Sequence, residues 1–382
     1  MGVSFLNRPG PALLRLGLAG ALIAVTAAAC SLAVDLDGLE GGSPDAGSPA
    51  PDAKPPESCS HEVPPTRPGG SATGGSMVIT TAVRSVDLGE ASTMEDPVGL
   101  DLDKTCTCIP DEDSCRSEYS SEDHCDDSNG VDNAGAKLFK SLLAIGAEGM
   151  GSTYYTKMAE QGEWGLLLTI SDYNGEANDE LITVSLYPSN GTAADGSQPA
   201  WNGQDAWPVT SSGLVDNASI DQPLYIDVNA YVANNVLVAQ FPELRFRFSG
   251  PNSNLSANVK DTTVMGLLEL VADGLGVRVT RGVMAGHWRI EDVFGMLGTL
   301  VANGQKLCND GGLIYEQTKG VICDFVDIAH EPPAEGEVLC NALSFGLGFE
   351  TFPAKLGPVV PPKPEASLCP DGQSPATDVC ED

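Results

Sequence analysis

The chain has 382 residues, 42% of them hydrophobic, which is enough for one large or two ordinary domains with a real core. Asp and Glu number 53 against 20 Lys and Arg, a formal net charge of -33, and a field of that sign repels nucleic acid and anionic membrane surfaces. No nucleic-acid partner is therefore expected. Cations, metal ions and simple solubility of a β-rich protein are the roles left for so much negative charge.

In chain order, residues 1–29 read as an export signal: Arg8 and Arg15 precede the apolar run Leu16–Ala29, which is too short for a comfortable transmembrane helix and ends in small residues. Ala27-Ala28-Ala29-Cys30 resembles the lipobox of bacterial lipoproteins, although Ala27 stands where Leu is usual. The resemblance implies an acylated Cys30 as mature N-terminus, and Ser31 after it implies passage to the outer membrane. Two acyl chains anchor stably where one does not. The other reading is a plain secretory signal cut after Ala29. Residues 30–76 are a Pro/Gly/Ser-rich spacer, with almost no aliphatic residues from Leu39 to about Ser76, and its expected job is reach. Cys59 breaks this pattern and suggests that the distal part is stapled to the domain.

From Gly99 to Phe139 runs an acidic, cysteine-rich loop system. Asp101 and Asp103 alternate with Leu100 and Leu102, so a strand here would put both carboxylates on one face and both leucines in the core. Asp126, Asp127, Asn129, Asp132 and Asn133 surround Gly130, and oxygen ligands at alternate positions with a glycine turn suit calcium. A calcium helix-loop-helix is not matched, because Cys125 and Ala136 stand where ligands belong. Self-capping Asx turns are the competing reading of the same residues.

The body, 77–356, has mostly period-two patterning. Trp164–Asp172 and Leu181–Pro188 form a hairpin with an acidic tip, Leu224–Val232 and Val236–Pro242 meet at Asn234-Asn235, and Thr262–Leu270 turns at Asp273-Gly274 into Val277–Ala285. Leu343–Pro353 is a closing strand with two glycines at a bulge or bend. This predicts a mainly β, disulfide-braced domain, an antiparallel sandwich of jelly-roll type. About two short helices interrupt it, one over Ala134–Ile145 capped by Asp132-Asn133 and one from Glu291 to about Ala302. Residues 357–382 are a Pro-rich tail with a terminal clip.

Eleven cysteines are present, and setting Cys30 aside leaves an even ten, which suits disulfides in an exported protein. Cys106 and Cys108 should take different partners, with Cys115 and Cys125 as candidates. Cys308 with Cys323 and Cys369 with Cys380 are natural local pairs, leaving Cys59 and Cys340 to join the ends. A zinc site from Cys106, Cys108, Cys115, Cys125 or His124 is the rival reading.

Neither G-x-S-x-G nor H-E-x-x-H occurs, and the four histidines, His61, His124, His287 and His330, are dispersed in sequence. No enzymatic activity is expected. The hairpin tip, with Asp172, Tyr173, Asn174, Asn178 and Asp179, is a candidate ligand-binding edge, either a second calcium loop or a sugar site. Trp201, Trp207 and Trp288 are the other stacking candidates. Asp172 with Glu176 or Asp179 is the pair a sandwich-fold glycosidase would need, but water at a hairpin tip keeps both ionised.

The lipobox, the spacer, GLDLD-x-x-C-T-C (Gly99–Cys108), C-D-x-x-x-G-x-D-N (Cys125–Asn133) and LSFGLGFE (Leu343–Glu350) together resemble a group of exported lipoproteins of myxobacteria whose function is uncharacterised. A looser likeness to laminin-G and legume-lectin jelly rolls implies carbohydrate binding by analogy. The expectation is a non-catalytic surface lipoprotein with calcium in its acidic loops, membrane contact through its lipid, and carbohydrate as leading ligand class. A structural envelope protein without a ligand is the first alternative, and a secreted glycoside hydrolase is the second.

Overall fold

The computed structural model describes residues 59–70, 75–93, 96–108, 111–120, 124–147, 149–192, 197–217, 219–249, 254–332, 336–364 and 369–380. These lie in the compact unit Lys54–Asp382; the export signal and Cys30 lie outside the described residues. The strands are β1 (Met77–Asp87), β2 (Gly165–Tyr173), β3 (Asp179–Ser189), β4 (Ala206–Thr210), β5 (Tyr225–Ala233), β6 (Val236–Ser249), β7 (Asn254–Val271), β8 (Gly276–Arg289), β9 (Val301–Ala302), β10 (Gln305–Lys306), β11 (Ala342–Pro353) and β12 (Lys355–Val360). The helices are α1 (Ala134–Ala144), α2 (Ser152–Glu160), α3 (Ile290–Leu297) and α4 (Leu313–Asp324).

The fold is mainly β and antiparallel, as the patterning predicts, but the strands make one closed sheet rather than two facing sheets. Around the barrel the order is β1, β2, β3, β5, β6, β7, β8, β11 and back to β1, so each strand pairs with the next one of the meander. The seam is the β1–β11 pairing, from Thr81 opposite Pro353 to Asp87 opposite Gly348. Closure leaves this sheet without a free edge. Register slips between Val83 and Ser85, between Asp179 and Ile182, and between Lys260 and Thr263 supply the bends that closing a sheet requires.

The main core is aromatic and lies under one face of the sheet. Trp288 of β8 meets Phe345 of β11 at 5.4 Å between ring centroids, Phe246 of β6 meets Phe345 at 5.7 Å, and Trp164 meets Phe248 edge-on at 4.5 Å. The helices complete it: α1 inserts Phe139 against Trp288 at 6.0 Å, and α2 inserts Tyr155 against Phe248 at 5.1 Å. A second, smaller core, with Ala82, Leu167, Tyr187, Trp207 and Val209, involves the parallel β4–β12 ribbon. This explains the unbroken apolar run of β2: Leu166, Leu168 and Ile170 enter the main core while Leu167 enters the second.

The helix expected at Ala134 forms, with Asn133 as its N-cap, and the one expected at Glu291 forms from Ile290 but ends at Leu297. Two helices were not anticipated, α2 and α4. Their buried residues, Tyr155, Met158 and Ala159 in one and Tyr315, Thr318, Ile322 and Cys323 in the other, keep helical spacing, but flanking polar residues dilute the signal. The glycines of β11 sit in unbroken register with β8 and make no bulge. They permit close approach instead: a Cβ on Gly346 would lie 2.5 Å from the Val98 carbonyl oxygen.

Five disulfides brace the described residues: Cys59–Cys106, Cys108–Cys125, Cys115–Cys340, Cys308–Cys369 and Cys323–Cys380. Cys106 and Cys108 do take different partners. The local pairs Cys308–Cys323 and Cys369–Cys380 do not form, nor does Cys59 join Cys340, because the tail cysteines reach Cys308 and Cys323 while Cys59 and Cys340 each bond into the acidic loop system. With these sulfurs joined in pairs, the zinc reading of Cys106, Cys108, Cys115 and Cys125 is overturned.

Candidate metal centre in the acidic loops

The two acidic motifs lie side by side. Leu100 and Asp132 form an antiparallel bridge, with the Asp132 amide donating to the Leu100 carbonyl at 3.0 Å. The distal spacer joins them, since Glu62 N donates to Asn129 O at 2.8 Å and Asp101 N donates to Glu62 O at 2.9 Å. No strand forms at Asp101–Asp103, which corrects the alternation reading. Leu100 is buried as expected, but the chain bends after it and Lys104 adopts φ 64°. Gly130, at φ 70°, fits a space only glycine can fill: a Cβ would lie 3.0 Å from Thr105 O and Cys106 Sγ and 3.1 Å from Asp101 Oδ2.

This packing converges carboxylates. One oxygen each from Asp101, Asp103 and Asp132 lie within 4.8 Å of one another. Each acid is also aimed by a backbone amide: Asp101 accepts from Lys104 N at 2.6 Å, Asp103 from Thr105 N at 2.8 Å, Asp126 from Thr107 N at 2.7 Å and Asp132 from Leu102 N at 2.7 Å. His61 and Ser114 contact the far oxygens of Asp101 and Asp103. The Asx-turn bonds and the convergence thus coexist, and the turns are what hold the oxygens in place.

The electrostatics are those of like charges crowded together. Burial, then the charges of Asp103, Asp126 and Asp327, pushes the Asp132 carboxyl up to about 10. Burial likewise raises Asp126 to about 7, with Asp103 and Asp327 adding to it against hydrogen bonds from Thr107 N and with Asp132. Asp101 is raised by burial, opposed by its His61 bond. The largest charges acting on Asp132 are all negative, and a cation is the natural complement to such a set.

Sequence reasoning missed Asp327. It is half-buried, its carboxyl is raised by desolvation, and it holds the Ser344 amide at 2.8 Å and hydroxyl at 2.5 Å. Nothing in its local sequence signals this role; only the long-range packing against β11 brings it to the cluster. Beside it a cavity of about 160 Å³ is lined by Thr107, Ser114, His124 and Asp327, and His124 Nε2 is buried there without a hydrogen bond.

Other candidates are placed differently. Asn133 is consumed as a structural pin, since Oδ1 caps α1 at Ala136 N (3.0 Å) and accepts from Gly346 N (3.1 Å), while Nδ2 donates to Val98 O (2.6 Å). Asn129 Oδ1 accepts from Ser60 Oγ at 2.5 Å, and Asp127, half-buried, is raised by burial and opposed by Lys137. At the β2–β3 tip, Asp179 Oδ2 takes Asn174 N at 2.7 Å, Asn174 Oδ1 takes Glu176 N at 2.8 Å, and Asn178 Oδ1 takes Asn234 N at 3.0 Å. Asp172 Oδ2 takes the Thr183 hydroxyl at 3.1 Å, and Tyr173 is buried with its hydroxyl donated to Glu176 O at 2.6 Å. That tip is a self-satisfied turn, and Tyr173 presents no ring face for stacking. Trp207 and Trp288 are likewise core residues, leaving Trp201, half-buried with Arg84 5.5 Å from its ring, at the surface.

Compared with family models, curated proteins and solved structures, the chain matches none.

Proposed function

We propose that Asp101, Asp103, Asp126 and Asp132 hold one calcium ion, and that the chain is a non-catalytic surface lipoprotein whose acidic loops this ion locks onto the barrel. The reading rests on one observation: Asp101, Asp103 and Asp132 converge from two loops, with Asp126 hydrogen-bonded to Asp132, and the largest charges acting on Asp132 are negative. Oxygen-only ligands fit a hard cation. On this reading acylated Cys30 moors the chain to the outer membrane. Carbohydrate is the ligand class we assign to the displayed face, with Trp201 as the surface aromatic. The second reading, an envelope protein without a ligand, is favoured by the burial of Tyr173, Trp207 and Trp288. Melting curves with calcium, with chelator and with a glycan panel test the metal and carbohydrate parts. Calcium should raise the transition and chelator lower it; a glycan shift favours the binding role, and none across the panel favours the structural one. Melting indifferent to calcium and chelator defeats the metal assignment.

A further inference from the structure

We propose that Asp261, His287 and His330 form a second metal site, separate from the carboxylate cluster, for a borderline divalent ion of the zinc class. Dispersed in sequence, the three converge in space: one ligand atom from each lies within 4.8 Å of the others. His330 Nδ1 is 3.3 Å and His287 Nδ1 is 3.7 Å from the same Asp261 Oδ2, and the imidazole centroids are 5.6 Å apart. Ligands bound at about 2.0–2.1 Å around a tetrahedral zinc are separated by roughly 3.3 Å, so little movement closes the site.

Two observations separate this arrangement from an ordinary ion pair. Both Nδ1 atoms are buried and neither makes a hydrogen bond, although a carboxylate oxygen stands beside them. His287 is fixed by its strand, paired with Lys260 of β7 on one side and Ser344 of β11 on the other. His330 is held through its own backbone, its amide donating to Asn341 Oδ1 at 2.7 Å and its carbonyl accepting from Asn341 Nδ2 at 3.2 Å.

The third ligand has a structural cause. In the β6–β7 ladder Asp261 falls opposite Pro242, which has no amide to donate, and the β7–β8 register slips between Lys260 and Thr263. The bulge puts Asp261 at φ 47° and aims its carboxylate at the two imidazoles. Gly286 permits the close approach of the two strands here, since a Cβ there would lie 2.5 Å from the Lys260 carbonyl oxygen. Asp261 is 59% exposed, so water has access to the remaining coordination positions, and His330 borders a cavity of about 400 Å³ with Arg289, Glu331 and Asn341. Two imidazole nitrogens with one carboxylate select zinc, nickel, copper or cobalt over calcium.

The test is zinc titration of the chelator-stripped full chain by calorimetry, in the presence of calcium to fill the acidic loops. The expected result is one zinc bound per chain, with affinity reduced on the order of 10- to 100-fold or more in His287→Gln, His330→Gln and Asp261→Asn. Asp261→Asn changes an exposed bulge residue and serves as the variant that keeps the fold, checked by an unchanged metal-free melting curve. Cobalt(II) should give visible d–d bands in the parent chain that all three variants lose. A parent chain that takes up no zinc, or variants that bind it as tightly as the parent, overturns the site.

Discussion

Replacing Asp132 by Asn should have opposite effects with and without calcium. Without metal at pH 7, Asp132 is already largely protonated, since its carboxyl titrates at about 10, and Asn retains an oxygen for the Leu102 amide and gains an NH2 to offer Asp126. The metal-free variant should therefore melt at or slightly above the parent. With calcium, the parent gains stability by mass action. For a Kd on the order of 10⁻⁵ M and ~1 mM free ion, that gain is about 2.7 kcal/mol. Spread over the unfolding entropy of a unit of roughly 300 residues, it raises Tm by about 4 °C. The variant, lacking a central anionic ligand, should gain little. Differential scanning calorimetry of both proteins in chelator and in calcium supplies the four numbers. An equal calcium shift in parent and variant, or a metal-free variant much less stable than the parent, would refute the reasoning.

The metal-free protein should lose stability as pH rises. Asp126 and Asp132 titrate near 7 and 10 when folded against 3.8 for an ordinary aspartate, so between those limits the folded state holds more protons than the unfolded one. Urea midpoints in chelator should fall from pH 5 to pH 8, and calcium should flatten the trend. Among the disulfides, Cys115–Cys340 spans 225 residues and Cys108–Cys125 spans 17, so a chain-entropy argument makes removal of the first costlier by ~2 kcal/mol. Paired Cys→Ser variants compared by urea unfolding check this. Trp288→Ala empties the aromatic centre and should cost about 3–5 kcal/mol, read as a lowered urea midpoint. Gly346→Ala drives a methyl against the Val98 carbonyl and should cost about 1–3 kcal/mol while sparing the disulfides, as thiol counting would show.

Strand existence and most hairpin partners were legible in the sequence because alternation and Asn/Gly turns are local. Asn234-Asn235 does join β5 to β6, with both residues at positive φ. The convergence of GLDLD with CDDSNGVDN was legible only as composition. Whether the strands formed a sandwich or closed was not readable, since period two is the same in both and the deciding β1–β11 seam joins strands far apart in the chain. The two-residue spacing of Asp101 and Asp103 suggested a strand face, but Asx bonding to nearby amides outcompeted extension there.

Residue types by themselves determined a β-rich, disulfide-braced body, acidic loops of oxygen donors, and a helix capped by Asn133, because each follows from neighbours a few positions apart. Tertiary structure alone decided which cysteines pair, that Asp327 stands by the acidic cluster, and that His287 and His330 share Asp261. Those outcomes depend on chain segments far apart in sequence being brought within a few ångströms by barrel closure, and no local pattern carries that distance.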